Sequence, residues 1–179
     1  AAISYPVCVV DALNIGRWRG KAFGVHGAGK PQVKVCNIVD AVKLITEKGM
    51  RPIVMLPQSF LSNKKGLALT DKPEKLRHLE EQGYLEVLPA GLDDDVAIIE
   101  RAKSFEDNGG GFVLTNDLFR DHQRNARITR SWYQQRVFRF SGNKIDGFYL
   151  HAPPDFGDAT PAQHVQVLAG ASHQSRPEN

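Results

Sequence analysis

The sequence has few cysteines and no long apolar run. Its 179 residues include only two cysteines, Cys8 and Cys36, and both lie in apolar stretches. This placement favours buried, reduced thiols over a disulfide or a zinc site. No apolar segment approaches the roughly 20 residues that a membrane-spanning helix needs, and the first residues show no signal-peptide pattern. We therefore expect neither a disulfide scaffold nor a membrane span.

Several common functional motifs are also missing. The glycines between Asp11 and Pro31 match neither GxxxxGK[ST] nor GxGxxG, so neither a phosphate loop nor a dinucleotide site is predicted there. No Ser/His/Asp or Cys/His arrangement indicates nucleophilic catalysis. This glycine-rich stretch also carries basic residues, and is interpreted as either a solvated insertion or a flexible flap near an anionic substrate. The net charge of +3 is too small to indicate a nucleic-acid partner by itself.

Apolar runs and helical periodicities alternate along the chain. Strands that alternate with helices predict an α/β fold, with a doubly wound, mostly parallel sheet and helices on both faces. Two late apolar runs around a turn predict a C-terminal β-hairpin. Residues 1–158 are predicted to form this domain, and residues 159–179 an irregular tail that belongs to a neighbouring domain in a longer parent chain. The predicted strands are Val7–Val10, Arg51–Leu56, Leu85–Leu88 and Phe112–Leu114, with the hairpin at Val137–Phe140 and Gly147–Leu150.

Aspartates follow three of the predicted strands. Because the carboxyl ends of parallel strands meet at one edge of a sheet, we expect these side chains to converge there. At least one member of the Asp93–Asp95 triplet is expected to cap a helix, since carboxylates are favoured at helix N-termini. Asp121 follows Asp117 by four residues and would share its face of a helix. The candidate catalytic residues are Asp11, Asp94, Asp95, Asp117 and Asp121, and Asp93 joins them as a candidate metal ligand.

Carboxylates that converge in this way repel one another, and a divalent cation removes the repulsion. An oxygen-only donor set without His or Cys favours Mg²⁺ or Mn²⁺ over zinc. Such a site suits phosphoryl chemistry, for which we expect two ions during catalysis. Asn14 and Asn116 are predicted to orient the ligands or a water molecule.

Basic and aromatic side chains follow the last acidic pair. Four arginines spaced four, three and three residues apart would form one stripe on a continuous helix. A charge stripe is usually a solvated face, but beside a metal site it predicts contacts with an RNA backbone. Trp132 and Tyr133 are predicted either to stack on bases or to pack in the core, and His122 either to bind phosphate or to lie on the surface. The candidate RNA-binding residues are Arg120, His122, Arg124, Arg127 and Arg130.

Two of these segments have a recognisable sequence. Val9–Gly16 (VVDALNIG) and Thr115–His122 (TNDLFRDH) resemble the NYN-type, PIN-like nucleases, and especially the metallonuclease domain of protein-only ribonuclease P. The resemblance implies a metal-dependent endoribonuclease that removes the 5′ leader of precursor tRNA and leaves a 5′-phosphate. The alternatives are a related endoribonuclease acting on mRNA or other structured RNA, or a catalytically silent RNA-binding domain of this fold.

The resemblance carries further expectations. It implies a helical-repeat domain that binds tRNA elsewhere in the parent chain, and an intracellular location in the nucleus, a mitochondrion or another organelle. The family's zinc site lacks its Cys-x-x-Cys half here, so His164 has no zinc partners. Ala12 stands where the family usually has glycine.

The family's metal carboxylates correspond to Asp11, Asp117, Asp121 and two members of the triplet. Two alignments remain open at the triplet. Matching Ala102-Lys103 favours Asp93 and Asp94, whereas matching Ile98-Ile99 favours Asp94 and Asp95. Asp94 belongs to both alignments.

Overall fold

A computed structural model describes residues 5–18, 33–61, 70–105, 111–143, 147–154 and 156. Strands and helices alternate through these ranges. The strands are β1 (Val7–Asp11), β2 (Arg51–Pro57), β3 (Leu85–Leu88), β4 (Gly111–Leu114), β5 (Val137–Asn143) and β6 (Gly147–His151). The α-helices are α1 (Ala12–Arg17), α2 (Val35–Glu47), α3 (Pro73–Glu81), α4 (Asp94–Lys103), α5 (Arg120–Arg124) and α6 (Arg130–Arg136), and a 3₁₀ turn spans Gln58–Phe60.

The strands form one six-stranded sheet in the order β3-β2-β1-β4-β5-β6. β1 pairs in parallel with both β2 and β4, β3 and β5 extend the parallel sheet, and β6 pairs antiparallel with β5. The mostly parallel α/β fold with a C-terminal hairpin is therefore confirmed. The chain proceeds from β1 to β3 on one side of β1 and then returns to place β4 on its other side. Ligands in such sheets bind at this switch point, beyond the carboxyl ends of the two strands.

Alternate residues of the central strands are buried against different helices. Val10 and Leu114 belong to a core cluster that includes Ile38 and Ile45 of α2, as well as α1 and α3. Val9 and Val113 belong to a second cluster, which contains the buried face of α4. This is the period-two alternation of a sheet covered on both faces. The central strands are thus fixed from both sides, which makes their carboxyl ends a rigid platform.

The two cysteines are not disulfide-bonded, as their apolar surroundings predicted. Cys8 is fully buried and Cys36 half-buried, and both are free thiols. Within the described ranges, no helix combines the length and the apolar character needed to cross a membrane.

The segment after β1 differs from the predicted long loop, because it begins as a short helix. The Asp11 side chain caps α1 by accepting a hydrogen bond from the Asn14 backbone N–H. At the C-terminal end of α1, the Trp18 backbone N–H donates to the Ile15 carbonyl. The rest of the predicted basic flap, residues 19–32, lies outside the described residues, as does the predicted tail at 159–179. The proposed boundary at residue 158 stays a prediction.

The segment after β4 is not a helix that begins at Asp117. α5 begins only at Arg120, and α6 follows after a turn in which Ala126 has a positive φ of 54°. The buried Ile128 anchors this turn in the second core cluster, and the Thr129 hydroxyl accepts from the Trp132 backbone N–H to start α6. Tertiary packing and a new helix cap therefore divide the segment in two.

Candidate active site

The β1 and β4 strands end side by side, and their next residues meet. Asp11 closes β1 and is only 7% exposed. Its Oδ1 accepts from the Asn14 backbone N–H at 3.1 Å, and its Oδ2 accepts from the Thr115 hydroxyl at 2.8 Å. One carboxylate oxygen is therefore held by the first turn of α1, and the other by the residue that follows β4.

Thr115 connects Asp11 to Asp117. Its fully buried hydroxyl donates to Asp11 and also accepts from the Asp117 backbone N–H at 3.0 Å. Asp117 Oδ1 then accepts from the Phe119 backbone N–H at 2.7 Å. Thr115 therefore makes a positioning contact between two carboxylate-bearing segments.

Asn14 and Asn116 hold neighbouring chain segments together. The Asn14 Oδ1 accepts from the Asn116 backbone N–H at 2.9 Å. The Asn116 side chain donates to the Phe140 carbonyl at 2.8 Å and accepts from the Phe140 N–H at 3.0 Å. These contacts fix the loop after β4 against α1 and β5. Whether the asparagines also orient a ligand or a water molecule stays a prediction.

The acidic triplet lies at the start of α4. Asp93 is the N-cap and accepts from the Val96 backbone N–H at 3.2 Å, as was expected for one member of the triplet. Asp94 and Asp95 occupy the first turn and are half-buried. Asp95 lies close enough to Asp117 for that charge to raise the Asp95 pKa. Asp94 and Asp95 thus face the end of β1, while the exposed Asp93 completes the helix.

His122 adds a nitrogen donor that the expected oxygen-only set did not contain. Its Nε2 lies 3.6 Å from Asp95 Oδ2, and its side chain is 14% exposed. One donor atom each from Asp93, Asp95 and His122 lies within 4.8 Å of the others. Asp95 therefore contacts a His122 group on one side and interacts with Asp11 and Asp117 on the other.

The carboxyl groups at this position disfavour one another's charge. Burial, together with the nearby Asp95 and Asp117 charges, raises the pKa of Asp11 from 3.8 to about 6, although the Asn14 and Thr115 hydrogen bonds oppose the shift. The pKa of Asp95 is raised by burial and then by Asp117. Burial and Asp93 raise the pKa of Asp94. Clustered oxygen donors whose charge is destabilised in this way suit a hard divalent cation. We call Asp11, Asp94, Asp95 and Asp117 the acidic edge.

Asp121 and the arginines are not arranged as the sequence suggested. Asp117 precedes α5, so it does not share a helical face with Asp121. The Asp121 carboxylate is 81% exposed and lies 3.0 Å from Arg124, and Arg127 lies 3.6 Å from Glu100. The segment was predicted to be helical in one piece or two, and it forms two helices, so the continuous helix that an unbroken arginine stripe required is not formed. The candidate residues are divided among α5 (Arg120, His122, Arg124), the turn (Arg127) and the first position of α6 (Arg130).

Two clefts flank the acidic edge and share Asn14, Asp95, Asn116 and Asp117. The first, of about 430 Å³, also contains Arg120, Asp121 and His122, and we call it the polar cleft. The second, of about 380 Å³, we call the aromatic cleft. Besides the shared residues, its lining includes the acidic residues Asp11 and Asp94 and also Leu13, Arg17, Trp18 and Phe140.

The aromatic residues that the sequence analysis considered for base stacking were Trp132 and Tyr133. Trp132 packs against the second core cluster, and the Tyr133 hydroxyl donates to the Asp117 carbonyl at 3.1 Å. Trp18, which the sequence analysis did not single out, lies in the aromatic cleft instead. The available signal was its spacing: Trp18 follows Asn14 by four residues, one helical turn further along α1.

Known proteins share this fold. The sequence model of the Zc3h12a-like ribonuclease NYN domain matches residues 4–155. No curated protein sequence is significantly similar to the chain. Two crystal-structure matches are the nuclear proteinaceous RNase P 2 (PRORP2) from A. thaliana and the Arabidopsis thaliana nuclear protein-only RNase P 2. Both have a TM-score of 0.63 and cover 85% of this chain, at 17% and 19% identity respectively.

The chain spans 31% of each of those structures, so the similarity concerns one part of them. At this level of identity the likeness establishes a shared fold. The family match is broader, because it extends from before β1 to the end of the hairpin and includes the whole acidic edge. The chain therefore belongs to the family of Zc3h12a-like ribonuclease NYN domains.

Proposed function

We propose that this ribonuclease domain hydrolyses RNA phosphodiester bonds with Mg²⁺ or Mn²⁺ held at the acidic edge. The observation that carries the proposal is the convergence of Asp11, Asp95 and Asp117 at the switch point of the sheet, where burial and mutual repulsion raise the pKa of Asp11 to about 6. Such a cluster is costly to maintain without a cation. Membership of a ribonuclease family supports RNA as the substrate.

The residues of the site have separate roles in this proposal. Asp11, Asp94, Asp95 and Asp117 would hold the cations, two during catalysis, with Asp93, His122 and Asp121 at the margin of the site. A bound divalent cation lowers the pKa of an attacking water and offsets negative charge on the phosphate. The Thr115 hydroxyl would keep the Asp11 carboxylate and the Asp117 backbone at a fixed separation. Arg120 would offer a positive charge, and His122 a hydrogen-bond donor, to phosphates in the polar cleft.

Within this activity, we propose that the substrate is precursor tRNA and that the product is released with a 5′-phosphate after removal of the 5′ leader. The segment Thr115–His122 and the shared fold with a protein named as an RNase P support this choice. We also propose that a helical-repeat domain elsewhere in the parent chain supplies most of the tRNA affinity, in the nucleus or an organelle. Binding by the 179-residue chain alone should then be weak.

A second candidate is an endoribonuclease that acts on mRNA or another structured RNA. The family model that matches the chain is described as a Zc3h12a-like ribonuclease and not as an RNase P, so this alternative is tested alongside the first. A silent RNA-binding domain is the third possibility, but retention of every carboxylate of the acidic edge argues against it.

Cleavage of defined RNAs tests these alternatives. The chain, at high concentration, is incubated with Mg²⁺ and either a precursor tRNA or a stem-loop mRNA fragment, with the Asp117→Asn variant as control. One cut at the leader boundary with a 5′-phosphate on the tRNA would support RNase P activity. Cleavage of the stem-loop alone would favour the second candidate. Binding of either RNA without any cleavage that exceeds the control would support the silent domain.

A further inference from the structure

The two clefts that flank the acidic edge differ in chemistry. The polar cleft contains charged and hydrogen-bonding side chains, as expected for contacts with a sugar-phosphate backbone. The aromatic cleft is lined by Leu13, Trp18 and Phe140 together with carboxylates of the acidic edge. The clefts adjoin at Asn14 and Asp117, so a strand of RNA that crosses the acidic edge can contact both. Leu118 and Phe119 also line the polar cleft, but Phe119 is buried, so the aromatic cleft is the one of the two that presents a partly exposed aromatic residue, Trp18.

Trp18 is held firmly at the end of α1. Its backbone N–H donates to the Ile15 carbonyl at 3.1 Å, and its carbonyl accepts from the Asn37 side chain at 2.9 Å. Its ring lies edge-on to those of Phe140 and Phe148, with centroids 6.1 and 5.7 Å away. The ring is nevertheless only half-buried. A rigid and partly exposed indole next to a reactive site is suited to stacking with a base, because little conformational entropy is lost on binding.

Arg17 adds a positive charge to the same cleft. Its side chain is exposed, and its guanidinium lies 5.7 Å from the centre of the Phe60 ring. Arg17 is near enough to Asp94 for its charge to lower that carboxyl's pKa, but among the described residues it forms no ion pair. The guanidinium can therefore contact the phosphate or the ring of a nucleotide whose base lies against Trp18.

We propose that the aromatic cleft binds the base of the nucleotide adjacent to the scissile phosphate, with Trp18 as the stacking partner and Arg17 beside it. The inference rests on the proposed cleavage of RNA at the acidic edge. Because every base has an aromatic face, such a subsite selects for an unpaired base more than for a particular sequence. The nucleotide on one side of the cut should then be single-stranded in good substrates.

Tryptophan fluorescence gives a direct test, since the chain contains only Trp18 and Trp132. Trp132→Phe leaves Trp18 as the reporter, and Trp18→Phe leaves Trp132 as a matched control. Both are made in an Asp117→Asn background to prevent cleavage and titrated with a single-stranded hexanucleotide in Mg²⁺. Anisotropy of a labelled copy measures binding independently. We expect RNA to quench Trp18 and to leave Trp132 nearly unchanged.

Abasic substitution locates the contact and separates stacking from a structural role. In otherwise wild-type protein, Trp18→Ala should lower kcat/KM by about tenfold for intact RNA. For RNA that is abasic at the contacted position, the same substitution should have little effect. Equal losses on both RNAs would mean that Trp18 only supports the fold, and would overturn the inference, as would unchanged Trp18 fluorescence at saturating RNA. Absence of any cleavage of intact RNA by the wild-type chain at high concentration in Mg²⁺ would instead overturn the proposed function.

Discussion

The aspartates and the arginines of this site are held in different ways. The acidic edge is fixed by the sheet: Asp11 closes a buried strand, and Thr115 ties it to the segment that bears Asp117. The arginines lie on two short helices and a turn, where Arg124 and Arg127 pair with nearby acids. We therefore expect the aspartates to carry out the part of the reaction that requires fixed distances, which is the proposed binding of cations. The arginines are suited to long-range attraction, which tolerates movement.

The largest expected effect separates Asp117 from Asp121. Asp117→Asn should lower cleavage by about 10³-fold, equivalent to about 4 kcal/mol, because one carboxylate charge is lost at the proposed cation site. Asp121→Asn should cost only about tenfold, because that side chain is 81% exposed and already paired with Arg124. Single-turnover cleavage rates in Mg²⁺ measure both.

Thermal unfolding of the two variants supplies the control, since each asparagine keeps the size of the side chain it replaces and should leave the fold intact. Equal losses of activity would show that Asp121 is bound as closely to the reaction as Asp117. Full activity of Asp117→Asn in Mg²⁺ would remove Asp117 from the cation site.

The second effect concerns the loss of folding stability that the buried charge of Asp11 causes. Its pKa is raised from 3.8 to about 6, so the folded protein binds this proton more tightly than the unfolded chain does. Without divalent cations, stability should therefore fall as pH rises from about 4 to about 7, by about 3 kcal/mol from this group. Urea unfolding in EDTA measures the slope, and Mg²⁺ should restore stability above pH 6.

Asp11→Asn isolates the contribution of this one carboxyl. The variant should lose the corresponding part of the pH dependence and most of the stabilisation by Mg²⁺. If the variant and the wild type show the same pH profile in EDTA, other groups account for it and Asp11 is not destabilised by its charge.

The third effect tests the bridge between the two strands. Thr115→Val keeps the shape of the buried side chain but leaves Asp11 Oδ2 without its donor and the Asp117 N–H without its acceptor. We expect a loss of about 1–2 kcal/mol in unfolding free energy and about a tenfold loss in cleavage. Thr115→Ser retains the hydroxyl and should recover most of the activity. Failure of serine to do so would assign the effect to packing.

The difference between side chains fixed by the sheet and side chains on short helices also explains what the sequence could predict. Asp11 and Asp117 were predictable because a buried strand ends just before each, and the carboxyl ends of parallel strands lie together. The separate roles of Asp93, Asp94 and Asp95 could not be predicted in this way. They depend on which of the three caps α4, and in the structure this residue is Asp93. α1 was missed because its cap, Asp11, precedes a glycine-rich region. The break between α5 and α6 depends on the burial of Ile128, which is a tertiary contact.

The smallest effect concerns the arginines. Arg120 lies in the polar cleft, and no ion pair within the described ranges involves it, so Arg120→Ala should weaken RNA binding several-fold. It should also reduce the slope of log K against log salt by about 0.7, the value for one contact with single-stranded RNA. Arg124→Ala combined with Arg127→Ala should also weaken binding and flatten the salt dependence. This double variant should do so by no more than the single one, because Asp121 and Glu100 already offset both charges. A salt titration that shows two lost contacts for the double variant would mean that RNA displaces these acids. The arginines would then contact the substrate directly. They would differ from the aspartates only in being more exposed to solvent.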